Sequence, residues 1–264
     1  MTDQVRSPVV AGRFYQRSPQ RLREHIAELL DSAEGESSGL ARAYVVPHAG
    51  YVFSGGVAAQ VYARLRSHRE QISTVVLLGP SHFEPLRGTA LSPHRQWETP
   101  LGLQRVASLP AELQAALRVD ATPHEREHAI EVQIPFIQEC LPEVEILPVA
   151  VGVSQYIEVA DLIARIMDAT SGDGATVLLC STDLSHYHDG ATATEIDERT
   201  AEAMVDLRPD DISTSDACGV FALRACLEWA RREGLRPELL RLTHSGEVSG
   251  HHDRVVGYAA MSLR

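Results

Sequence analysis

Lysine does not occur in this chain; all 24 basic residues are arginine. That absence removes Schiff-base chemistry, Ser-Lys dyads and any Walker-type phosphate lysine. Cysteine is sparse, with Cys140, Cys180, Cys218 and Cys226 and no CxxC pair. Cys140 and Cys180 sit in apolar stretches and read as buried thiols, nothing demands a disulfide, and a reduced, cytoplasmic protein is expected. No apolar run reaches the length of a membrane span, and the N-terminus lacks the apolar core of a signal peptide. Positive charge is in deficit, with 36 acidic residues against 24 arginines and a net charge of −12. Such a surface repels phosphate backbones, so neither nucleic acid nor membrane is an expected partner. There is no GxSxG elbow and no HExxH, and neither Cys218 nor Cys226 is flanked by histidine, which argues against serine, cysteine and zinc-protease chemistry.

What is present is ordinary globular material: 264 residues, 44% hydrophobic and 23% charged. With no internal repeat and no convincing boundary, one domain over residues 1–264 is expected. Short β-branched runs at 43–46, 74–78, 144–151 and 176–180 are apolar on successive positions, the mark of strands buried on both faces of a parallel sheet. Helical patterns cover 20–30, 55–65, 127–140, 155–170, 192–207 and 215–232, an exposed connection covers 31–39, and strand character returns around VVGYAAMSL near the end. Alternating strands and helices predict a three-layer α/β/α domain with a largely parallel central sheet.

The chemistry follows the strands. The first expected strand runs into Pro47-His48-Ala49-Gly50, the second into Gly79-Pro80-Ser81-His82, and the fourth into Ser181-Thr182-Asp183-Leu184-Ser185-His186. Ligands of open α/β sheets bind outside the carboxyl ends of the strands, so His48, His82, Asp183 and His186 are expected on one edge. Any one of these histidines alone reads as a loop residue, and Asp183 alone as a helix cap; their joint placement makes a shared site the better reading. The segment Pro123–Glu131 reads as a helix start with Glu127 and Glu131 one turn apart, where acidic residues also complement the helix dipole. Two neutral imidazoles and a carboxylate make a divalent-metal site, suited to Fe(II) when positions stay open and to Zn(II) when tetrahedral.

Taken together, several segments resemble the Memo family, also known as protein B of the microbial AmmeMemoRadiSam system. They are Val10–Tyr15, Pro47–Tyr51 with Ser54-Gly55, Leu78–His82, Glu127–Phe136, Ser181–His186 and Val255–Ala260. The resemblance covers the chain from end to end. It implies a fold like the B subunit of class III extradiol ring-cleavage dioxygenases, whose iron is held by two histidines and a glutamate. On that pattern His48 and His82 are metal ligands, with His128 and His186 as further active-site histidines. Animal members carry a cysteine ligand where this chain aligns Val248, so Glu247 becomes the third-ligand candidate. Fe(II) is the expected cofactor, with Zn(II) or copper as alternatives. His128, His186 and Asp183 are expected to be catalytic, Asp183 accepting the His186 imidazole N–H and raising its basicity. The implied function is a metal-dependent oxygenase or redox enzyme on an unspecified small molecule. The alternatives are a zinc-type hydrolase and a non-catalytic scaffold binding a peptide or a partner of the AmmeMemoRadiSam system.

Overall fold

Four runs that are apolar on consecutive positions become the centre of an eight-stranded sheet in the computed structural model, which describes residues 5–33, 39–170, 172 and 174–264. Most of the expected exposed connection, residues 34–38, and the first four residues of the chain lie outside the described residues. Across the sheet the strands run in the order Pro237–His244, Val255–Leu263, Ala43–Val46, Ala175–Ser181, Ile72–Pro80, Glu145–Val151 and Thr89–Leu91. The short strand His186–His188 pairs beside them with Val255 and Val256. The three central pairings are parallel, and those outside them, including the whole 237–263 hairpin, are antiparallel. The sheet is therefore parallel at its centre and antiparallel at both rims. The edge strand Pro237–His244 has no continuous apolar run to mark it, because it leaves most of its side chains partly or wholly in solvent.

Helices cover both faces, which completes the three layers. Pro19–Asp31 starts on an N-cap Ser18 and a proline in its first turn, and buries Leu22, Ile26 and Leu30 at helical spacing. It packs with Tyr51–Ser67 and Ile134–Cys140 in the apolar layer on one face. Tyr156–Ala169 and Val220–Arg232 form the layer on the other face. A small second sheet joins Val5–Arg6 to the hairpin Gln96–Thr99 and Gly102–Arg105.

One expected helix is corrected. Residues 127–130 are not helical; a 3₁₀ turn, Glu131–Gln133, leads into the short helix Ile134–Cys140. The cause lies in two buried carboxylates that bind backbone N–H groups rather than lying along a helix face. A close approach also fixes this segment: a Cβ at Gly79 would lie 2.8 Å from Ile130, so only glycine lets the strand end pass beneath it.

Candidate metal centre and active-site cleft

At the carboxyl ends of the parallel strands a cleft of about 800 Å³ opens, and His48, His82, His128, Asp183 and His186 all line it. The sequence-based convergence is therefore what the structure shows. The imidazoles of His48, His82 and His128 form a compact cluster, with ring centroids 5.3, 5.4 and 4.8 Å apart.

Hydrogen bonding sets the tautomers. Gln133 Nε2 donates to Pro47 O at 2.9 Å and to Ser181 Oγ at 2.9 Å, and Ser181 Oγ donates to Ala129 O at 2.7 Å. With its own proton committed, Ser181 accepts from His48 Nδ1 at 3.0 Å, which leaves Nε2 as the basic nitrogen. His82 Nδ1 donates to Glu127 Oε1 at 2.9 Å, because a carboxylate can only accept. His186 Nδ1 donates to Leu184 O at 2.7 Å. Each of these three rings thus carries its lone pair on Nε2, the nitrogen that a metal or a proton would use.

Electrostatics reinforces this. Burial, then the neighbouring His82, lowers His48 to about 3, and burial with His48 beside it lowers His128 to about 4. Both rings are neutral at physiological pH. Burial pushes Glu127 upward, but the His82 imidazole and the N–H groups of His82 and Ala129 outweigh it and hold the carboxyl at about 2. Asp183 is buried, which raises its carboxyl, while the His48 N–H it accepts at 2.7 Å works the other way.

Sequence reasoning missed one residue, Cys218. Its Sγ lies 3.2 Å from His48 Nε2 and 3.3 Å from the Asp183 N–H that points at it. His48, His82 and Cys218 present three donor atoms all within 4.8 Å of one another. Burial and the nearby Asp183 raise the thiol above its ordinary value. The loop that carries it is pinned by Gly219 N–H donating to Thr182 Oγ1 at 2.9 Å, and a Cβ on Gly219 would meet Thr182 at 2.9 Å. The signal in the sequence was its setting: Cys218 follows a polar turn, Ser213–Asp216, whereas Cys140 and Cys180 lie in apolar runs.

Two expected contacts are absent. Glu247 does not reach His48 or His82; it is 62% exposed on the short helix Gly246–Ser249, with Oε1 3.8 Å from His244 Nε2. That helix turns Ser245 and Ser249 toward the cleft and Glu247 toward a separate hollow of about 300 Å³ with Asp197. Val248 is likewise exposed. Asp183 does not accept from His186, whose Nδ1 is taken by Leu184 O; nor does it cap a helix. It holds the backbone of His48 and the loop of Cys218 instead. A second histidine-carboxylate group, His244, Glu247 and His252, lies in that hollow's neighbourhood. Gly246 N–H donates to His244 Nδ1 at 3.1 Å, so the neutral ring keeps its proton on Nε2, the wrong nitrogen for a ligand facing Glu247.

Comparisons with known proteins agree on family. The model of the family described as Memo-like protein matches residues 6–262. The chain is 36% identical to a MEMO1 family protein of Methanosarcina barkeri over 97% of this chain and 99% of that one. It is 31% identical to a MEMO1 family protein of Desulfurococcus amylolyticus over 98% of both. Among solved structures, an uncharacterized protein from Escherichia coli aligns with a TM-score of 0.51 at 13% identity, over 85% of this chain and all of that one. At that identity the likeness concerns the fold alone.

Proposed function

Since this chain belongs to the Memo family, we propose that its cleft holds one transition-metal ion on His48, His82 and Cys218 and serves oxidoreductase chemistry on a small organic substrate. The observation that carries the reading is the donor set itself: two imidazoles with Nδ1 committed elsewhere and a thiol, within 4.8 Å of one another. Metal–ligand bonds of about 2.0–2.3 Å place donors roughly 3–4 Å apart, so one ion fits with little rearrangement. When bound, the ion supplies Lewis acidity, redox capacity and vacant positions toward the cleft.

The chain's own residues do the rest. Ser181 and Glu127 hold the ligand rings in the tautomer a metal needs. Asp183 ties the His48 backbone to the loop of Cys218, which links two parallel strand ends to the loop that precedes the helix Val220–Arg232. His128, neutral at physiological pH and stacked 4.8 Å from His82, is placed to accept a proton from bound substrate. His186, its Nδ1 anchored on Leu184, offers a second acceptor across the cleft.

A thiolate in place of a carboxylate softens the donor set. Fe(II) remains the reading for an oxygen-activating centre, and copper fits equally well by ligand type. The thiolate also favours a second reading, a zinc-bound water for hydrolysis. Metal analysis of protein purified without oxygen tests all three. About one equivalent is expected, falling to a small fraction in His48→Ala, His82→Ala and Cys218→Ala and unchanged in Glu247→Gln. Undiminished metal in those three variants, or none in the wild type, defeats the proposal, and an intact metal-free cleft points to the partner-binding scaffold.

A further inference from the structure

The mouth of the cleft, where Arg254 lies, carries a charge opposite in sign to the net charge of the chain. In a protein of net charge −12, the one carboxylate lining the cleft among the described residues is Asp183, which is 4% exposed and accepts the His48 N–H. Arg254 lines the mouth, is exposed, and among the described residues has no hydrogen bond or ion pair. Its guanidinium carbon sits 4.9 Å over the ring of Tyr187. With no hydrogen bond of its own among the described residues, this guanidinium has its N–H donors free, and their fork geometry matches a carboxylate.

Tyr187 is unusual in its own right. It is 64% exposed, lines the same cleft, and has φ of +63°, a left-handed backbone that residues with a Cβ avoid. The irregular pairing of His186 with Val256 and His188 with Val255 holds it there from both sides. The result is an aromatic ring raised at the mouth, with Phe53 also lining it and 42% exposed. Exposed rings and an unpaired cation converging on one opening are the features of a site for a flat apolar body with an acidic group.

We propose that this cleft selects small organic carboxylates, the carboxylate gripped by Arg254 and the flat body lying against Tyr187 and Phe53. Arg254 and Tyr187 are specificity-determining residues of the site proposed above. The inference rests on reading the cleft as a substrate site, and it does not require the metal to be bound. An amine is repelled by the same guanidinium, and a neutral isostere leaves it unmatched.

Benzoate and its neutral isostere benzamide are the probes, titrated calorimetrically at pH 8 into the protein as purified and again after chelation. Benzoate is expected to bind at least about tenfold more tightly than benzamide in both samples. Arg254→Gln is expected to remove that preference, and Arg254→Lys to keep part of it. Tyr187→Gly, which suits the left-handed backbone, is expected to weaken both probes while the fold stays intact. Equal binding of the two probes, no saturable benzoate binding, or an unchanged preference in Arg254→Gln each overturns the proposal. Because metal content is read separately, a protein that prefers benzoate yet never holds metal sinks the metal centre and leaves this inference standing.

Discussion

Ser181 shows how a single hydroxyl can prepare an imidazole for a metal. It is fully buried, spends its proton on Ala129 O, receives one from Gln133, and so accepts from His48 Nδ1. Ser181→Ala removes the acceptor and frees His48 to hold its proton on either nitrogen. Outer partners of this kind typically contribute about 10–100-fold in metal affinity. Ser181→Ala is therefore expected to bind metal at least about tenfold more weakly while its circular dichroism spectrum matches the wild type, measured by competition with a chromophoric chelator. Unchanged affinity would show that ring packing alone orients His48. At this scale the four site histidines and Asp183 were legible because each follows a strand or a recognisable family segment. Cys218 was not, because it comes from a loop far along the chain whose approach depends on Thr182 and Gly219 packing together. The family pattern alone points to Glu247, and four residues of helix are enough to turn it away from the site.

Among the elements, those buried on both faces were the readable ones. The strand Ala43–Val46 falls on the expected positions, and the three other central strands differ by a few residues at their ends. The hairpin at 96–105 and the rim strand Pro237–His244 were not read, since half-solvated strands carry no continuous apolar run. Residues 127–131 misled for another reason: acidic residues at helical spacing here serve as buried acceptors. Glu131, fully buried, takes N–H groups from Val9 and Val10, the Tyr15 hydroxyl at 2.7 Å and Arg6 at 2.8 Å. That clamp fixes the N-terminal segment, which lays Phe14 against His128 at 4.8 Å. Glu131→Ala leaves the Arg6 guanidinium, itself 3% exposed, without its carboxylate partner. Breaking such a pair costs about 3–5 kcal/mol, so urea denaturation of Glu131→Ala is expected to show a loss of that order. Arg23→Ala, which breaks a pair that is 53% and 29% exposed, is expected to change stability by less than about 1 kcal/mol. Similar losses for both variants would contradict the clamp.

The molecule as a whole has a vulnerability to acid built into its interior. Three histidines are held neutral: His48 is lowered to about 3, and His124 and His128 to about 4, in each case chiefly by burial. In the unfolded chain these rings take up protons near pH 6.5. Between that pH and about 4 the unfolded state therefore binds more protons than the folded one, and stability falls as pH falls, by up to about 1.4 kcal/mol per pH unit for each ring. His124 offers the cleanest test because it lies outside the cleft. It is fully buried, its Nε2 donates to Ala90 O at 3.1 Å, and its ring meets the edge of Trp97 at 5.8 Å. His124→Gln keeps a donor for Ala90 and cannot titrate. At pH 8 it is expected to be less stable than the wild type by about 1–2 kcal/mol, from imperfect packing and hydrogen bonding. Below pH 6.5 the gap is expected to close, because the variant has one proton fewer to gain on unfolding, and its denaturation midpoint should fall less steeply toward pH 4.5. Parallel curves for the two proteins, measured by urea denaturation across that range with metal removed, would mean that His124 takes up its proton without unfolding.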